Sequence, residues 1–264
     1  MQMIQRSCPP VDWGLAPAEI HVWTISLDVT PASSGLFKKI LSSAELERAR
    51  RFRFDLHRNR FIAGRGSMRT LLSNYLQTEP SKLQIGYGPY GKPILAGTFL
   101  ESGVHFNLAH SENLALLAIT LAGEIGIDLE QIRPLIDADE LVARFFSARE
   151  SAAFHHLPVV QKPLAFFNLW TRKEAWLKAT GQGIGDLLNA VEVSFLPGEP
   201  ARFVSLPGDA QTLASWILRE FEPAPGFVAA LAISSSSPAL RCSCWDEKAT
   251  RETMNKKLIQ LPLK

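Results

Sequence analysis

The chain has 264 residues, 46% of them hydrophobic, and a formal net charge of +2. That is enough for one large core or two smaller lobes, and the near-neutral balance argues against a nucleic-acid binder that works by bulk charge. Three cysteines (Cys8, Cys242 and Cys244) do not read as a disulfide framework, no Cys/His cluster has zinc-ligand spacing, and no run of about 20 apolar residues predicts a membrane span.

Residues 1–18 are Pro-rich and irregular, and Gln5, Arg6, Pro9, Pro10 and Asp12 interrupt any apolar signal core. A cytoplasmic protein is the expectation. His21–Val29 alternates and is rich in β-branched residues, so it is predicted as a strand. Ser42 and Glu45 have the Ser-x-x-Glu form of a capping box and open a charged helical run to Phe52. His57–Leu76 is a longer helix, with Phe61, Met68, Leu71, Leu72 and Tyr75 at helical spacing. Leu83–Leu95 carries turn signals at Gly86, Gly88, Pro89 and Gly91. Val104–Leu108 and Leu114–Leu121 read as a strand pair around the polar turn His110–Asn113. Gly126–Glu130 is the next strand. It points Ile125, Ile127 and Leu129 into a core and puts Asp128 and Glu130 on the other face, about 7 Å apart along the chain.

The order of elements then recurs. Ser147 and Glu150 repeat the helix start. A long helix is predicted over Leu164–Thr180, with Phe166, Leu169 and Trp176 buried and Arg172 and Lys173 facing solvent. Strand candidates follow at Val191–Phe195, Ala201–Leu206, Ser215–Phe221 and Phe227–Ile233. Each half reads strand, short helix, long helix, several strands. This predicts an internal duplication into two lobes, residues 19–121 and 122–245, with a ligand cleft between them. Residues 246–264 are Lys-rich and unperiodic and predict a flexible tail.

Few residues are candidates for chemistry. Two carboxylates aimed at one point repel unless a cation or donors lie between them. With Glu174 they form a trio of hard oxygen ligands suited to a Mg²⁺ that also meets substrate phosphates. The competing explanation is a solvated strand edge. Lys178, one turn after Glu174, is either a surface ion pair worth about 0.3–0.5 kcal/mol or a cation for a pyrophosphate oxygen. His110 is either a phosphate donor or a satisfied turn residue. Lys92 sits at a tight Gly-Lys-Pro turn, where a basic residue is ordinarily just solvated. The run Arg48, Arg50, Arg51, Arg53, Arg58 and Arg60 suits a phosphorylated ligand or is a solvated face. His155 and His156 read as surface. There is no Gly-x-x-x-x-Gly-Lys-Ser/Thr loop, no Gly-x-Ser-x-Gly elbow and no Gly-x-Gly-x-x-Gly after a strand.

Four stretches in register resemble the 4′-phosphopantetheinyl transferases, in particular the larger, surfactin-synthetase-activating (Sfp-like) class. They are Phe106-Asn107-Leu108-Ala109-His110-Ser111, Gly126-Ile127-Asp128-Leu129-Glu130, Arg144-Phe145-Phe146-Ser147 and Trp170-x-x-Lys173-Glu174-Ala175-x-x-Lys178. Gly91-Lys92-Pro93 also fits, and the likeness covers roughly residues 20–235. Ala109 departs from it, since many members carry Ser before the His. The resemblance implies an α+β fold of two similar lobes, each with a long helix packed on an antiparallel sheet. It implies coenzyme A in the cleft, and transfer of its phosphopantetheine arm to a serine of an acyl or peptidyl carrier protein with release of adenosine 3′,5′-bisphosphate. By motif position it implies Asp128, Glu130 and Glu174 as Mg²⁺ ligands, and Glu174, Lys178 and His110 as the catalytic set. Asn107, Lys92, Arg48 and Arg60 would contact coenzyme A together with His110 and Lys178. A monomer with no nucleic-acid or membrane partner is expected. Two rivals use the same acids: a metal-dependent phosphohydrolase of a nucleotide, and a non-catalytic paralogue that binds coenzyme A or a carrier.

Overall fold

A computed structural model describes residues 13–183, 187–235 and 239–245. The chain runs β1 (Glu19–Ser26), α1 (Pro31–Ile40), α2 (Ser43–Arg50), α3 (Asp55–Tyr75), the small hairpin β2 (Ile85–Tyr87) and β3 (Pro93–Leu95), then β4 (His105–Ser111) and β5 (Leu114–Thr120). The series repeats as β6 (Ile125–Gln131), α4 (Ala138–Phe145), α5 (Ala148–His155), α6 (Lys162–Thr180), the hairpin β7 (Glu192–Val193) and β8 (Phe203–Ser205), a short α7 (Ala210–Ala214), β9 (Ile217–Phe221) and β10 (Phe227–Ile233). A last strand, β11 (Ala239–Trp245), follows.

The duplication expected from element order is present in the topology. In the first half β5 lies between β1 and β4, and in the second β10 lies between β6 and β9, all antiparallel. β11, within the stretch assigned to the second lobe, returns to pair in parallel with β1 of the first sheet.

Alternation along the strands dictates the layers. Ile20 and Val22 of β1 and Leu116 and Ala118 of β5 pack against Ile125, Ile127, Leu129, Leu231 and Ile233 of the second sheet. The opposite face of the first sheet, with Trp23, Ile25, Leu117 and Ile119, packs on α3 residues such as Met68 and Leu72. The opposite face of β10, with Val228, Ala230 and Ala232, packs with α6 residues. The order is therefore helix, sheet, sheet, helix. β5 and β10 are covered on both faces, which is why each reads as an almost unbroken apolar run.

Both capping boxes form. Ser42 Oγ accepts from Glu45 N at 3.2 Å while Glu45 accepts from Ser42 N at 2.9 Å. Ser147 and Glu150 repeat this at 3.2 and 3.0 Å. Each buried glutamate also takes a buried cation from the long helix of its own half. Arg69 donates to Glu45 at 2.7 Å and Lys173 to Glu150 at 2.5 Å. Lys173 was expected in solvent but is fully buried, with a second bond to the Leu188 carbonyl at 2.7 Å. Arg172 is buried too, bonded to the Ser194 carbonyl and the Glu220 carboxylate. Their partners come from distant segments that helical periodicity does not reveal.

Other departures are local. α1 and α4 were not anticipated: Thr30 caps α1 by accepting from Ser33 N, with Pro31 at its first position, and α4 has no side-chain cap. β4 continues through His110 and Ser111, so the turn contracts to Glu112 and Asn113, with Glu112 at φ +51°. Cys8 and the tail predicted over 246–264 lie outside the described residues. No described helix is long and apolar enough to cross a membrane.

Candidate active site

Gly126 sets where α6 lies. A Cβ there would stand 2.1 Å from the Ala175 carbonyl oxygen and 2.3 Å from Ala179 N. No other residue type allows β6 and the helix backbone to approach this closely. Two residues on, the same strand face presents Asp128 to the turn of α6 that carries Glu174 and Lys178. Lys178 Nζ donates to Asp128 Oδ1 at 2.5 Å. Asp128 and Glu174 are only 5% and 4% exposed.

Both carboxyls are short of partners. Asp128 Oδ2 and Glu174 Oε1 are buried with no hydrogen bond. Burial pushes Asp128 up to about 6 despite Lys178 beside it. Burial, with the neighbouring Asp128 charge adding, pushes Glu174 up to about 7. Burial opposes the Lys178 charge, but Asp128 outweighs it and holds the ammonium above its ordinary pKa.

Glu130 is held from β4. Ser111 Oγ donates to Glu130 Oε2 at 2.9 Å and accepts from Gln131 N at 3.1 Å. Asn107 Oδ1 accepts from Ile127 N at 2.9 Å. β4 and β6 belong to different sheets, so these side chains replace ladder bonds where the sheets meet. Between them on β4, His110 opens into a cleft. Its surroundings lower its pKa, burial first, with Lys178 and Arg65 charges contributing.

The cleft has a volume of about 280 Å³ and lies between α3, β4, the Gly88–Lys92 turn and the end of α6. Its basic side chains are Arg48, Arg60, Arg65, Lys92 and Lys178, with the His110 imidazole beside them. Lys92, read as ordinarily solvated, is partly buried and fully bonded instead. It donates to the Ala179 carbonyl at 2.8 Å, the Ile125 carbonyl at 3.3 Å and Glu124 at 3.2 Å, which ties the turn to β6 and α6. Arg60 is paired with Asp28 at 2.8 Å and Glu112 at 3.4 Å. Arg48 lies over the Phe61 ring at 5.5 Å. Arg50, Arg51 and Arg53 face solvent, and Arg58 pairs with Asp55. His155 and His156 are exposed, as expected.

Known proteins resemble this chain in both halves. Residues 124–232 match the 4′-phosphopantetheinyl transferase superfamily, and residues 30–122 match the 4′-phosphopantetheinyl transferase N-terminal family. The chain is 45% identical over 225 residues to the 4′-phosphopantetheinyl transferase HetI of Nostoc sp., covering 85% of this chain and 92% of HetI. It is 38% identical over 193 residues to a putative 4′-phosphopantetheinyl transferase of Synechocystis sp., covering 73% and 76% of the two chains. It is 28% identical over 157 residues to the 4′-phosphopantetheinyl transferase Sfp of Bacillus subtilis, covering 60% and 67%.

The chain belongs to the 4′-phosphopantetheinyl transferase family. In this transferase, Asp128, Glu174 and Lys178 meet, Glu130 lies beside them on β6, and Arg48, Arg60, Lys92, Asn107 and His110 line the adjoining cleft. Lys178 belongs to both, since it lines the cleft and bonds Asp128. Among the described residues, no group of three or more carboxylate, histidine or cysteine side chains is gathered as a finished metal cluster. The Lys178 ammonium occupies one oxygen of Asp128 instead. Sequence reasoning missed Ser111, which orients Glu130, and Arg65, which lies on the cleft wall. Arg65 had a signal: an arginine between Gly64 and Gly66, one turn from Phe61 on the helix face that meets the cleft.

Proposed function

We propose that this transferase moves the 4′-phosphopantetheine arm of coenzyme A to a serine hydroxyl of an acyl or peptidyl carrier protein and releases adenosine 3′,5′-bisphosphate. The observation that carries the reading is the junction of a buried carboxylate pair, Asp128 and Glu174, with a basic cleft through one shared residue, Lys178. Phosphoryl transfer needs charge neutralisation and in-line placement more than covalent chemistry.

The residues present fit a Mg²⁺ ion. Two buried carboxylate oxygens without donors, on Asp128 and Glu174, lack the partner that a hard cation provides. Asp128, Glu130 and Glu174 would hold it. When bound, Mg²⁺ neutralises pyrophosphate oxygens and makes the phosphorus more electrophilic.

The chain's own groups do the rest. Lys178 and His110 donate to the phosphate oxygens where negative charge grows. Arg48, Arg60 and Lys92 line the cleft and offer donors to the anionic co-substrate. The serine Oγ bonds to the pantetheine-side phosphorus, and the bond from that phosphorus to the bridging oxygen breaks, leaving adenosine 3′,5′-bisphosphate. Glu174 accepts the serine proton, directly or through a water. We place this action in the cytoplasm, where coenzyme A is found. One chain supplies both walls of the cleft, which supports a monomer.

Following nucleotide release by chromatography tests the reading against its nearest rival. Adenosine 3′,5′-bisphosphate should form only when carrier protein is present. Release from coenzyme A alone would mark a hydrolase.

A further inference from the structure

Every donor of the Lys92 ammonium is used. Nζ donates to the Ala179 carbonyl at 2.8 Å, to Glu124 Oε2 at 3.2 Å and to the Ile125 carbonyl at 3.3 Å. The stem and main chain of Lys92 are what remain to face the cleft. Ala179 lies in the last turn of α6, where carbonyls lack a partner within the helix. A cation there also suits the helix dipole. The same turn carries Lys178, and Ile125 opens β6, the strand of Asp128. Lys92 itself comes from the β2–β3 hairpin of the first lobe. One ammonium thus joins the turn over the cleft to the helix and the strand that carry Lys178 and Asp128. A Cβ on Gly183 would stand 2.8 Å from the Tyr90 ring, so the chain after α6 packs closely against the same turn.

Glu124 keeps that tie in place. Burial works against the Lys92 ammonium, and the Glu124 charge counters it. Glu124 is the only carboxylate bonded to Lys92 among the described residues. Its other oxygen, Oε1, lies 3.4 Å from His105 Nδ1. The His105 contact first, and Lys92 after it, hold the Glu124 carboxyl down at about 2 against its burial. Neither Glu124 nor His105 lines the cleft; both line a separate hollow behind the turn.

We propose that Glu124 is a positioning residue for coenzyme A binding: it holds Lys92 on the end of α6 and so presets the Gly88–Lys92 turn that walls the cleft. This rests on the function proposed above. A turn already ordered in the free protein loses less freedom when co-substrate arrives, and the gain appears as affinity. Glu124 is bonded to none of Asp128, Glu174 and Lys178, so turnover at saturating coenzyme A should be spared.

Calorimetric titration of coenzyme A into the full chain, without carrier protein, tests this beside steady-state transfer. Glu124→Gln should weaken binding about three- to fivefold, the range for a half-exposed ion pair, and raise the KM for coenzyme A in step, with kcat within about twofold of the parent. Glu124→Lys sets a like charge against Lys92 and should weaken binding at least about tenfold. Glu140→Lys on the exposed face of α4 makes the same change in net charge and should leave affinity within about twofold. If Glu124→Lys does not fold, Glu124→Gln decides. Parent-like affinity in Glu124→Gln, a loss in Glu124→Lys no larger than in Glu140→Lys, or a fall in kcat with KM unchanged overturns the inference. Should the parent itself bind no coenzyme A, the functional reading falls with it. If the parent binds and transfers while the Glu124 variants bind as it does, only the role of Glu124 falls.

Discussion

Glu174→Gln removes one buried negative charge beside Asp128 and keeps the side-chain shape. Burial holds the Glu174 carboxyl at about 7, against an ordinary value of 4.5. Its folded pKa is raised, so the folded state binds the proton more tightly than the unfolded chain does. Stability is therefore lost as pH climbs from 4.5 through 7, and retained below. Integrating between those values gives a penalty of about 3 kcal/mol at pH 8 and about 1 kcal/mol at pH 5. The glutamine does not titrate. Its own cost of burying an amide is the same at both pH values and cancels in the comparison. Denaturant unfolding in chelator at pH 8 and pH 5 reads the effect. Between those pH values the parent should lose about 2.5 kcal/mol relative to the variant. Added Mg²⁺ should stabilise the parent more than the variant, and the variant should transfer nothing even in excess Mg²⁺. Identical pH dependence in parent and variant would refute the reasoning, because Glu174 would then carry no unsatisfied buried charge.

Three further changes probe the scaffold. Gly126→Ala puts a methyl 2.1 Å from the Ala175 carbonyl oxygen; it should push α6 off β6, cost about 1–3 kcal/mol in denaturant unfolding and abolish transfer. Ser111→Ala leaves Glu130 and the Gln131 N–H without their shared partner. It should cost about 1–3 kcal/mol and raise the Mg²⁺ concentration needed for half-maximal transfer, with Ser111→Thr recovering part of both. Lys173→Met strands the buried Glu150 carboxylate and should cost about 3–5 kcal/mol, while the KM for coenzyme A, measured on the remaining folded protein, stays near the parent value.

What could be read from the chain follows from how local each feature is. The capping boxes at Ser42 and Ser147 lie within single turns, and alternation along Ile125–Gln131 lies within one strand, so both were legible. So was the likeness of the two halves, because it repeats in element order. Arg172 and Lys173 were misread because their partners, Glu220, Ser194 and Glu150, lie 48, 22 and 23 residues away in the chain. The return of β11 to β1 joins opposite ends of the described chain and leaves no local mark. Asp128, Glu174 and Lys178 were legible as motif positions, but the bond between Asp128 and Lys178 was not. Its closeness depends on the missing side chain of Gly126, and the bond through Ser111 depends on two sheets lying edge to edge.

Intact-mass analysis of a carrier protein, incubated with this chain, coenzyme A and Mg²⁺, tests the central claim. A gain of one phosphopantetheine on the carrier, absent when its acceptor serine is alanine and absent with Glu174→Gln, is the result expected. An unmodified carrier beside freed nucleotide, or beside intact coenzyme A, would contradict it.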